Sequence, residues 1–188
     1  MPAARTLPAR PTTLDEFLVW EANQDMKHEY RRGVIRMMTG GTLRNTRMAQ
    51  SIAGALNDKL KGGPCYAYVE NAKVKLTLAD AGYYPDVVVD CGGYDPDAKQ
   101  TAEPVVVFEV LSASTRNTDF SDKVPDYRDT PSVRQIVLVE PDKRFVHTWV
   151  WDDNRQKWRE TDVDEGKGVL KLPSLGIELT LDEVYKDA

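Results

Sequence analysis

The chain has 188 residues, of which 41% are hydrophobic and 29% charged, with a formal net charge of −5. These values fit one globular domain with a sizeable core. They exclude a transmembrane helix, because no apolar run approaches the roughly 18 residues it needs, and they argue against indiscriminate binding to nucleic acid. The charge is uneven: residues 1–75 hold 12 Lys and Arg against 7 Asp and Glu, and residues 76–188 hold 13 against 23. Such a balance suits a metal-dependent enzyme acting on a polyanion, or simply an uneven solvated surface.

Residues 1–11 contain three prolines and two arginines but no apolar segment. They predict a flexible tail and not a secretory signal, so we expect a cytoplasmic protein with a single domain over residues 12–188. Cys65 and Cys91 lack the spacing of a metal or redox motif, and their pattern predicts reduced, structural thiols.

The first part of the chain predicts two helices, a hairpin and two further strands. A capping box at Thr13 and Glu16 opens a short helix, and Arg32-Gly33 favours a hairpin turn because glycine accepts a positive φ. Apolar residues recurring every four positions then predict a long amphipathic helix. The predicted bounds are 13–21 for the first helix, 28–38 for the hairpin, 42–61 for the long helix, and 65–70 and 72–78 for the strands.

Two β-branched runs, 84–89 and 105–111, each carry one carboxylate, Asp86 and Glu109. A continuous apolar run of this length is typical of a strand that is buried on both faces. Carboxylates are almost never fully buried unless something pairs or coordinates them. A hard divalent cation between the two acids is the simplest solution, because Mg²⁺ takes oxygen ligands.

The remaining elements complete a mixed α/β or α+β domain. A helix is predicted within 119–130, with its N-cap near Ser121 or Asp122 because Pro125 must lie in the first turn. That helix would place Lys123 and Tyr127 on one face. An antiparallel meander and a short helix follow, with predicted strands at 134–140, 145–151, 157–161 and 168–172 and the helix at 181–185.

The acidic residues belong to a recognisable order of motifs. Pro85-Asp86, then Glu109-x-Leu111, then Lys123-x-x-x-Tyr127 resembles the PD-(D/E)XK nuclease superfamily, and within it the chain from about Thr12 to Tyr185 resembles the Uma-type restriction endonuclease family. The further matching stretches are Glu29-Tyr30 with Gly33, Tyr84 to Val88, Phe108 to Ser112, Ser114-Thr115, Asp119, Tyr127-Arg128 and Pro173 to Gly176. The resemblance implies a restriction-endonuclease-like fold, a mixed central sheet flanked by helices with a C-terminal antiparallel meander.

The resemblance also implies a metal site and a catalytic lysine. Asp86, Glu109 and the carbonyl of Val110 would hold Mg²⁺, or Mn²⁺ in its place, and the cation would polarise a phosphodiester and activate water. The superfamily's lysine position is Leu111 here. Lys123 is the replacement candidate for assisting the attacking water, with a solvated helix lysine as the alternative interpretation.

Three supporting residues follow from the same resemblance. Glu29 matches an additional upstream acid that contacts the metal through water or orients a cation, although an exposed strand glutamate is the alternative. Tyr127 is either a core residue or a hydrogen-bond partner of the site. Asn45 stands where the family often has a histidine, and it can bond a phosphate but cannot act as a cation or general acid.

Four cations are candidates for contacting nucleic acid. Arg44 and Arg47 lie in the first turns of the long helix, where the helix dipole disfavours cations, so they suggest a phosphate partner or mere surface decoration. Lys73 and Lys75 alternate with Val74 and a leucine, which predicts that the lysines lie on the exposed face of a strand. They are also weaker alternatives to Lys123.

Two functions remain open at this level. The first is a Mg²⁺-dependent endonuclease that cleaves DNA, working as a homodimer as restriction-endonuclease-like proteins commonly do. The second is a catalytically weak or inactive nuclease-fold module that binds nucleic acid or a partner protein. Leu111 at the lysine position and the acidic second half of the chain favour the second.

Overall fold

A computed structural model describes residues 11–38, 40–166 and 168–186. The predicted N-terminal tail lies outside the described residues except for Pro11, which is buried, so the tail does not include that residue. Within the described ranges, no helix combines the length and apolar character that crossing a membrane requires.

The helices begin where the sequence provides caps. The Thr13 side chain accepts a hydrogen bond from the Glu16 N–H while the Glu16 carboxylate bonds back, which is the predicted capping box. Thr180 and Glu183 form a second capping box near the end of the chain. The helices are α1 (Leu14–Glu21), α2 (Leu43–Leu60), α3 (Arg116–Thr118), a π-helical turn (Asp119–Lys123), α4 (Val124–Arg128) and α5 (Leu181–Val184).

The described strands form three sheets. Their bounds are β1 (His28–Arg31), β2 (Val34–Met37), β3 (Tyr66–Val69), β4 (Val74–Leu76), β5 (Ala81–Tyr83), β6 (Val87–Asp90), β7 (Pro104–Val110), β8 (Gln135–Val139), β9 (Phe145–Asp152), β10 (Lys157–Asp164), β11 (Val169–Leu172) and β12 (Ile177–Thr180). The central sheet has the order β10-β9-β8-β7-β6-β3, and β7 and β8 are parallel whereas its other pairs are antiparallel. A second sheet has the order β2-β1-β5-β4, and β11 pairs with β12.

The central sheet is covered on both faces, as the two apolar runs predict. On one face, Ile52 and Leu56 of α2 pack in one buried cluster with Phe108 and Val137. On the other face, Val124 and Tyr127 of α4 pack with sheet residues in a second buried cluster, which includes Val88, Val107, Leu111 and Leu138. The structure is therefore a mixed α+β fold with a mixed central sheet flanked by helices.

One predicted helix boundary and one predicted strand pairing are wrong. The helix expected to begin near Ser121 or Asp122 already starts at Arg116 and runs through the π-helical turn into α4. Pro125 lacks an N–H, and in a regular helix its ring would crowd the carbonyl four residues earlier, that of Ser121. The wide π-helical turn just before Pro125 relieves that conflict. In addition, the fourth meander strand instead pairs with β12, a strand the sequence reading missed.

The prediction of reduced thiols is also wrong, because Cys65 and Cys91 form a disulfide. The two residues flank β3 and β6, and these strands pair antiparallel with Tyr66 opposite Asp90. The pairing therefore brings the two cysteines face to face at the end of both strands. Sequence spacing alone did not reveal it, because 26 residues separate them along the chain.

Candidate active site

Asp86 and Glu109 face the same side of the central sheet. Glu109 alternates with Val107 and Leu111 along β7, and Asp86 alternates with Val88 at the start of β6. The three apolar residues belong to the buried cluster beneath α4. The Asp86 Oδ2 atom accepts a hydrogen bond of 2.6 Å from the Val110 N–H, which fixes this carboxylate against the neighbouring strand.

Lys123 reaches this face from the π-helical turn. Its Nζ atom lies 3.2 Å from Glu109 Oε1, 3.1 Å from Glu29 Oε1 and 3.6 Å from Asp119 Oδ1. The lysine is only 6% exposed, so the solvated-lysine interpretation is wrong. One ammonium therefore sits among three carboxylates.

Glu29 and Tyr127 complete the contacts around Glu109 and Lys123. Glu29 Oε1 accepts a 3.3 Å hydrogen bond from the Tyr84 N–H, so the interpretation of Glu29 as a simple exposed strand residue does not hold. The Tyr127 hydroxyl donates to Glu109 Oε1 at 2.8 Å. Both hydrogen bonds to Glu109, from Tyr127 and from Lys123, use Oε1 and leave Oε2 outside these contacts.

Asp119 is the residue of this cluster to which the sequence analysis gave no role. Its side chain is 2% exposed, and its Oδ1 atom has no hydrogen-bond partner. Asp119, Lys123 and Tyr127 follow one another at intervals of four, which places them along one side of a helix. The spacing could have identified Asp119, because the same interval drew attention to Lys123 and Tyr127.

Burial sets the protonation of these groups. Burial raises the pKa of Asp86 to about 6, against the opposing effects of the Val110 N–H and Lys123. Burial likewise raises the pKa of Glu109 well above its usual value, and Asp119 and Asp86 add to that rise. Burial lowers the pKa of Lys123, but the surrounding carboxylates outweigh it and the net shift is upward. The cluster thus holds a charged ammonium beside Asp86, Glu109 and Asp119, whose raised pKa values mean that their carboxyl groups resist ionisation.

A separate ion-pair network holds the β1–β2 hairpin, and with it Glu29, against α4. The Arg31 Nε atom donates to Asp126 Oδ2 at 2.7 Å, and Arg32 reaches Asp126 Oδ1 at 3.1 Å. The Tyr83 hydroxyl donates to the same carboxylate at 2.6 Å. Asp126 is fully buried, so these contacts are the partners that its charge requires.

Asn45 lies beside the predicted metal-binding carbonyl. Its Nδ2 atom donates to the carbonyl oxygens of Val110 and Leu111 at 3.3 and 3.4 Å, and its Oδ1 accepts from the Thr42 hydroxyl. Its side chain therefore joins the N-terminus of α2 to the end of β7. A carbonyl oxygen has two lone pairs, so one remains on Val110 for another partner.

Three of the four cations predicted to contact nucleic acid form ion pairs with acidic residues in the described part of this chain. Lys73 is 6% exposed and pairs with Glu21, so its predicted position on an exposed face is wrong. Lys75 pairs with Asp15 at 2.8 Å and Arg44 pairs with Asp142 at 2.6 Å. Arg47 lies on the exposed side of α2.

The carboxylate oxygens at this site are the kind of ligand that a hard cation binds, although few of them are present. In the described part of the chain, no group of three or more His, Cys, Asp or Glu side chains is arranged as a metal site. Asp86 and Glu109 nevertheless offer carboxylate oxygens on one face of the sheet, and Asp119 adds a buried oxygen without a hydrogen bond. Mg²⁺ commonly takes one or two carboxylates and completes its shell with water and substrate phosphates.

Comparison with known proteins identifies the family. The model of the Uma2 family, described as "Putative restriction endonuclease", matches residues 14–182. The chain belongs to the Uma2 family. This membership supports a nuclease, and it agrees with the Uma-type resemblance of the sequence motifs.

Two relatives and one solved structure extend the comparison. The chain is 29% identical to "Uncharacterized protein slr1290" of Synechocystis sp. over 92% of this chain and 90% of the relative. It is 23% identical to "Uncharacterized protein sll1609" of the same organism, over 68% and 74%. A crystal structure of a "putative nuclease belonging to DUF820" from Anabaena variabilis superposes with a TM-score of 0.74 at 18% identity, covering 94% of this chain and 98% of that one. At this identity the structural likeness shows the shared fold.

Proposed function

We propose that this Uma2-family protein is a Mg²⁺-dependent endonuclease of the PD-(D/E)XK type that hydrolyses DNA phosphodiester bonds. The observation that carries the proposal is the position of Glu109, which shares a sheet face with Asp86 and contacts the Lys123 ammonium at 3.2 Å. Two acids from neighbouring strands and one cation from the following helix form the set of groups that this chemistry needs.

Asp86, Glu109 and the Val110 carbonyl are the proposed ligands of Mg²⁺, with Mn²⁺ as a substitute. The bound cation would lower the pKa of an attacking water and neutralise charge on the phosphate. The protein's own part is to hold the ligands in place. The Val110 N–H fixes Asp86 and the Tyr127 hydroxyl fixes Glu109.

Lys123 is the proposed aid to the attacking water. Its ammonium is buried, stays charged, and has three N–H groups, so it can also donate to an oxygen bound beside Glu109. Glu29 holds the ammonium from the hairpin side. Lys123 thereby takes the role of the superfamily's lysine. The usual position of that lysine is occupied here by Leu111, which is 1% exposed and packed in the core.

Asp119 is the proposed positioning residue for Lys123. A cation held by Glu109 would make its carboxylate a poorer partner for the ammonium, and Asp119 Oδ1 stands 3.6 Å from Lys123 Nζ with no hydrogen bond to any described residue. We expect Asp119→Asn to lower kcat about tenfold to a hundredfold, the usual range for a residue that orients a ligand, with KM for DNA little changed. Asp119→Glu should restore part of the rate. An unchanged kcat in folded Asp119→Asn would remove this role.

A homodimer is the proposed assembly, because cutting both strands of a duplex requires two sites. The second candidate function is a nuclease-fold module without catalysis, which binds nucleic acid or a partner protein. The small donor set favours it, since no larger group of ligands converges in the described residues.

Plasmid cleavage separates the two functions. Purified protein with Mg²⁺ should nick or cut the plasmid, EDTA should stop it, and Asp86→Ala should lose the activity while its circular dichroism spectrum stays native. Arg155→Gln, an exposed residue on the β9–β10 turn, serves as the matched control. Equal cleavage by Asp86→Ala and wild type would exclude the assigned site, and no cleavage by wild type would favour the binding module.

A further inference from the structure

A cavity of about 800 Å³ opens between the end of α1, the segment just before β4 and the loop before β7. Three lysines, an asparagine, a threonine and a tyrosine contribute to its wall: Lys27, Lys73, Lys99, Asn71, Thr101 and Tyr84. This volume lies in the range of sites for nucleotide-sized ligands. Neither the motifs nor the metal site accounts for it.

The floor of the cavity is a fixed structure. Glu21 binds both the Lys73 ammonium and the Tyr84 hydroxyl, the latter at 2.7 Å. The loop wall is tied to the residue just before β4, because the Thr101 N–H donates to the Lys73 carbonyl at 2.9 Å. The floor and this wall are therefore held in place before any ligand arrives, which reduces the entropy lost on binding.

Lys27 and Lys99 give the cavity its positive charge. Glu21 neutralises Lys73, but among the described residues neither Lys27 nor Lys99 forms an ion pair. Lys27 Nζ donates to the Glu70 carbonyl at 3.0 Å, which uses one of its three N–H groups. A chain of net charge −5 thus presents two uncompensated ammonium groups around one cavity.

The backbone joins this cavity to the candidate active site in two places. Tyr84 lines the cavity, and its N–H binds Glu29, which contacts Lys123. The Glu70 N–H binds the Asp86 carbonyl oxygen at 3.2 Å, while the carbonyl of Glu70 holds Lys27. Because Tyr84 and Asp86 are two residues apart, their Cα atoms are separated by no more than about 7 Å.

We propose that this cavity binds a nucleotide of the DNA strand next to the cleaved phosphodiester, with Lys27 and Lys99 each contacting one of the two phosphates that flank it. The proposal rests on the proposed function for the position of the cleaved bond. Ammonium groups attract phosphates, and the asparagine and threonine of the wall supply hydrogen-bond groups for the rest of the nucleotide. The cavity therefore acts as a strand-binding subsite, separate from the groups that perform the chemistry.

Binding without cleavage tests the subsite. The Asp86→Asn protein in EDTA is titrated into a fluorescein-labelled single-stranded DNA oligonucleotide, and anisotropy gives Kd at salt concentrations from about 50 to 200 mM. Adding Lys27→Gln and Lys99→Gln should weaken binding about tenfold. The slope of log K against log salt is negative, and it should become shallower by about 1.4, since each lost phosphate contact on a single strand removes about 0.7.

The matched control replaces two exposed lysines elsewhere, Lys157→Gln and Lys171→Gln, on β10 and β11. This control should leave the slope nearly unchanged, and both double variants should keep the parent's melting temperature. An equal loss in the two double variants, or no binding by the parent, overturns the subsite. Cleavage by the wild type together with an unaffected slope would overturn the subsite and leave the endonuclease proposal intact. A clear slope change in a protein that never cleaves would support a DNA-binding cavity and overturn the endonuclease proposal.

Discussion

Phe108 and Glu109 are neighbours on β7, yet they face opposite environments. Phe108 packs beneath α2 among apolar side chains, whereas Glu109 faces Lys123 and Tyr127 on the side of α4. Both are at most 3% exposed. The first face stabilises the fold by removing apolar surface from water. The second buries charged groups at a desolvation cost, which fits the proposed role of this face in catalysis.

Substitutions at these two neighbouring residues should have separate effects, one on activity and the other on stability, and the loss of activity is the largest effect that we expect. Glu109→Gln keeps the shape but removes a ligand charge, and we expect plasmid cleavage to fall on the order of a thousandfold, as when one transition-state contact is lost. Phe108→Leu should lower the free energy of unfolding by about 1 to 2 kcal/mol and leave cleavage per folded molecule unchanged. The comparison fails if Phe108→Leu loses as much activity as Glu109→Gln.

The disulfide belongs to the apolar face, since Cys65 and Cys91 pack against the cluster beneath α2. It closes a loop across a sequence separation of 26. Constraining a loop of that length in the unfolded chain stabilises the fold by about 3.5 kcal/mol. Urea titrations with and without reductant should show that loss, while cleavage at low denaturant persists. Identical midpoints for the oxidised and reduced protein would contradict the cross-link.

Removing a charge from the face on the side of α4 should raise the free energy of unfolding of the protein. The pKa of Asp86 is raised to about 6, above an unfolded value of about 3.9. The folded state therefore binds the Asp86 proton more tightly, and this contribution to stability, complete below about pH 4, is lost as the pH rises through 6.

Asp86→Asn in EDTA should thus raise the free energy of unfolding at pH 7.5 by about 1 to 2 kcal/mol, with the gain shrinking towards pH 4. Urea midpoints at several pH values measure it, and the same variant should be inactive. Destabilisation by Asp86→Asn at pH 7.5 would mean that the ionised carboxylate supports the fold.

Local patterns predicted much of this architecture from the sequence. The capping box at Thr13, the turn at Arg32-Gly33 and the period of α2 depend on residues close in the chain, and all three predictions are confirmed. The family and the mixed sheet also followed from the motifs. These features need no knowledge of which distant segments meet.

Predictions that depended on distant partners were less successful. Lys73 alternates with apolar residues as an exposed lysine would, but Glu21, far away in the chain, pairs with it in the interior. The partner of Cys65 is set by strand pairing. For Lys73 and for Cys65 the decisive contact lies between distant segments whose pairing local sequence does not encode. Asp119 is different, because it lies four residues before Lys123 and that spacing could have identified it.

A calorimetric titration with Mn²⁺ tests the central claim most directly. We predict one binding site per chain in the wild-type protein, lost in Glu109→Gln and in Asp86→Asn but kept in Phe108→Leu. Absence of binding to the wild type, or equal binding by Glu109→Gln, would contradict a cation held between the two carboxylates.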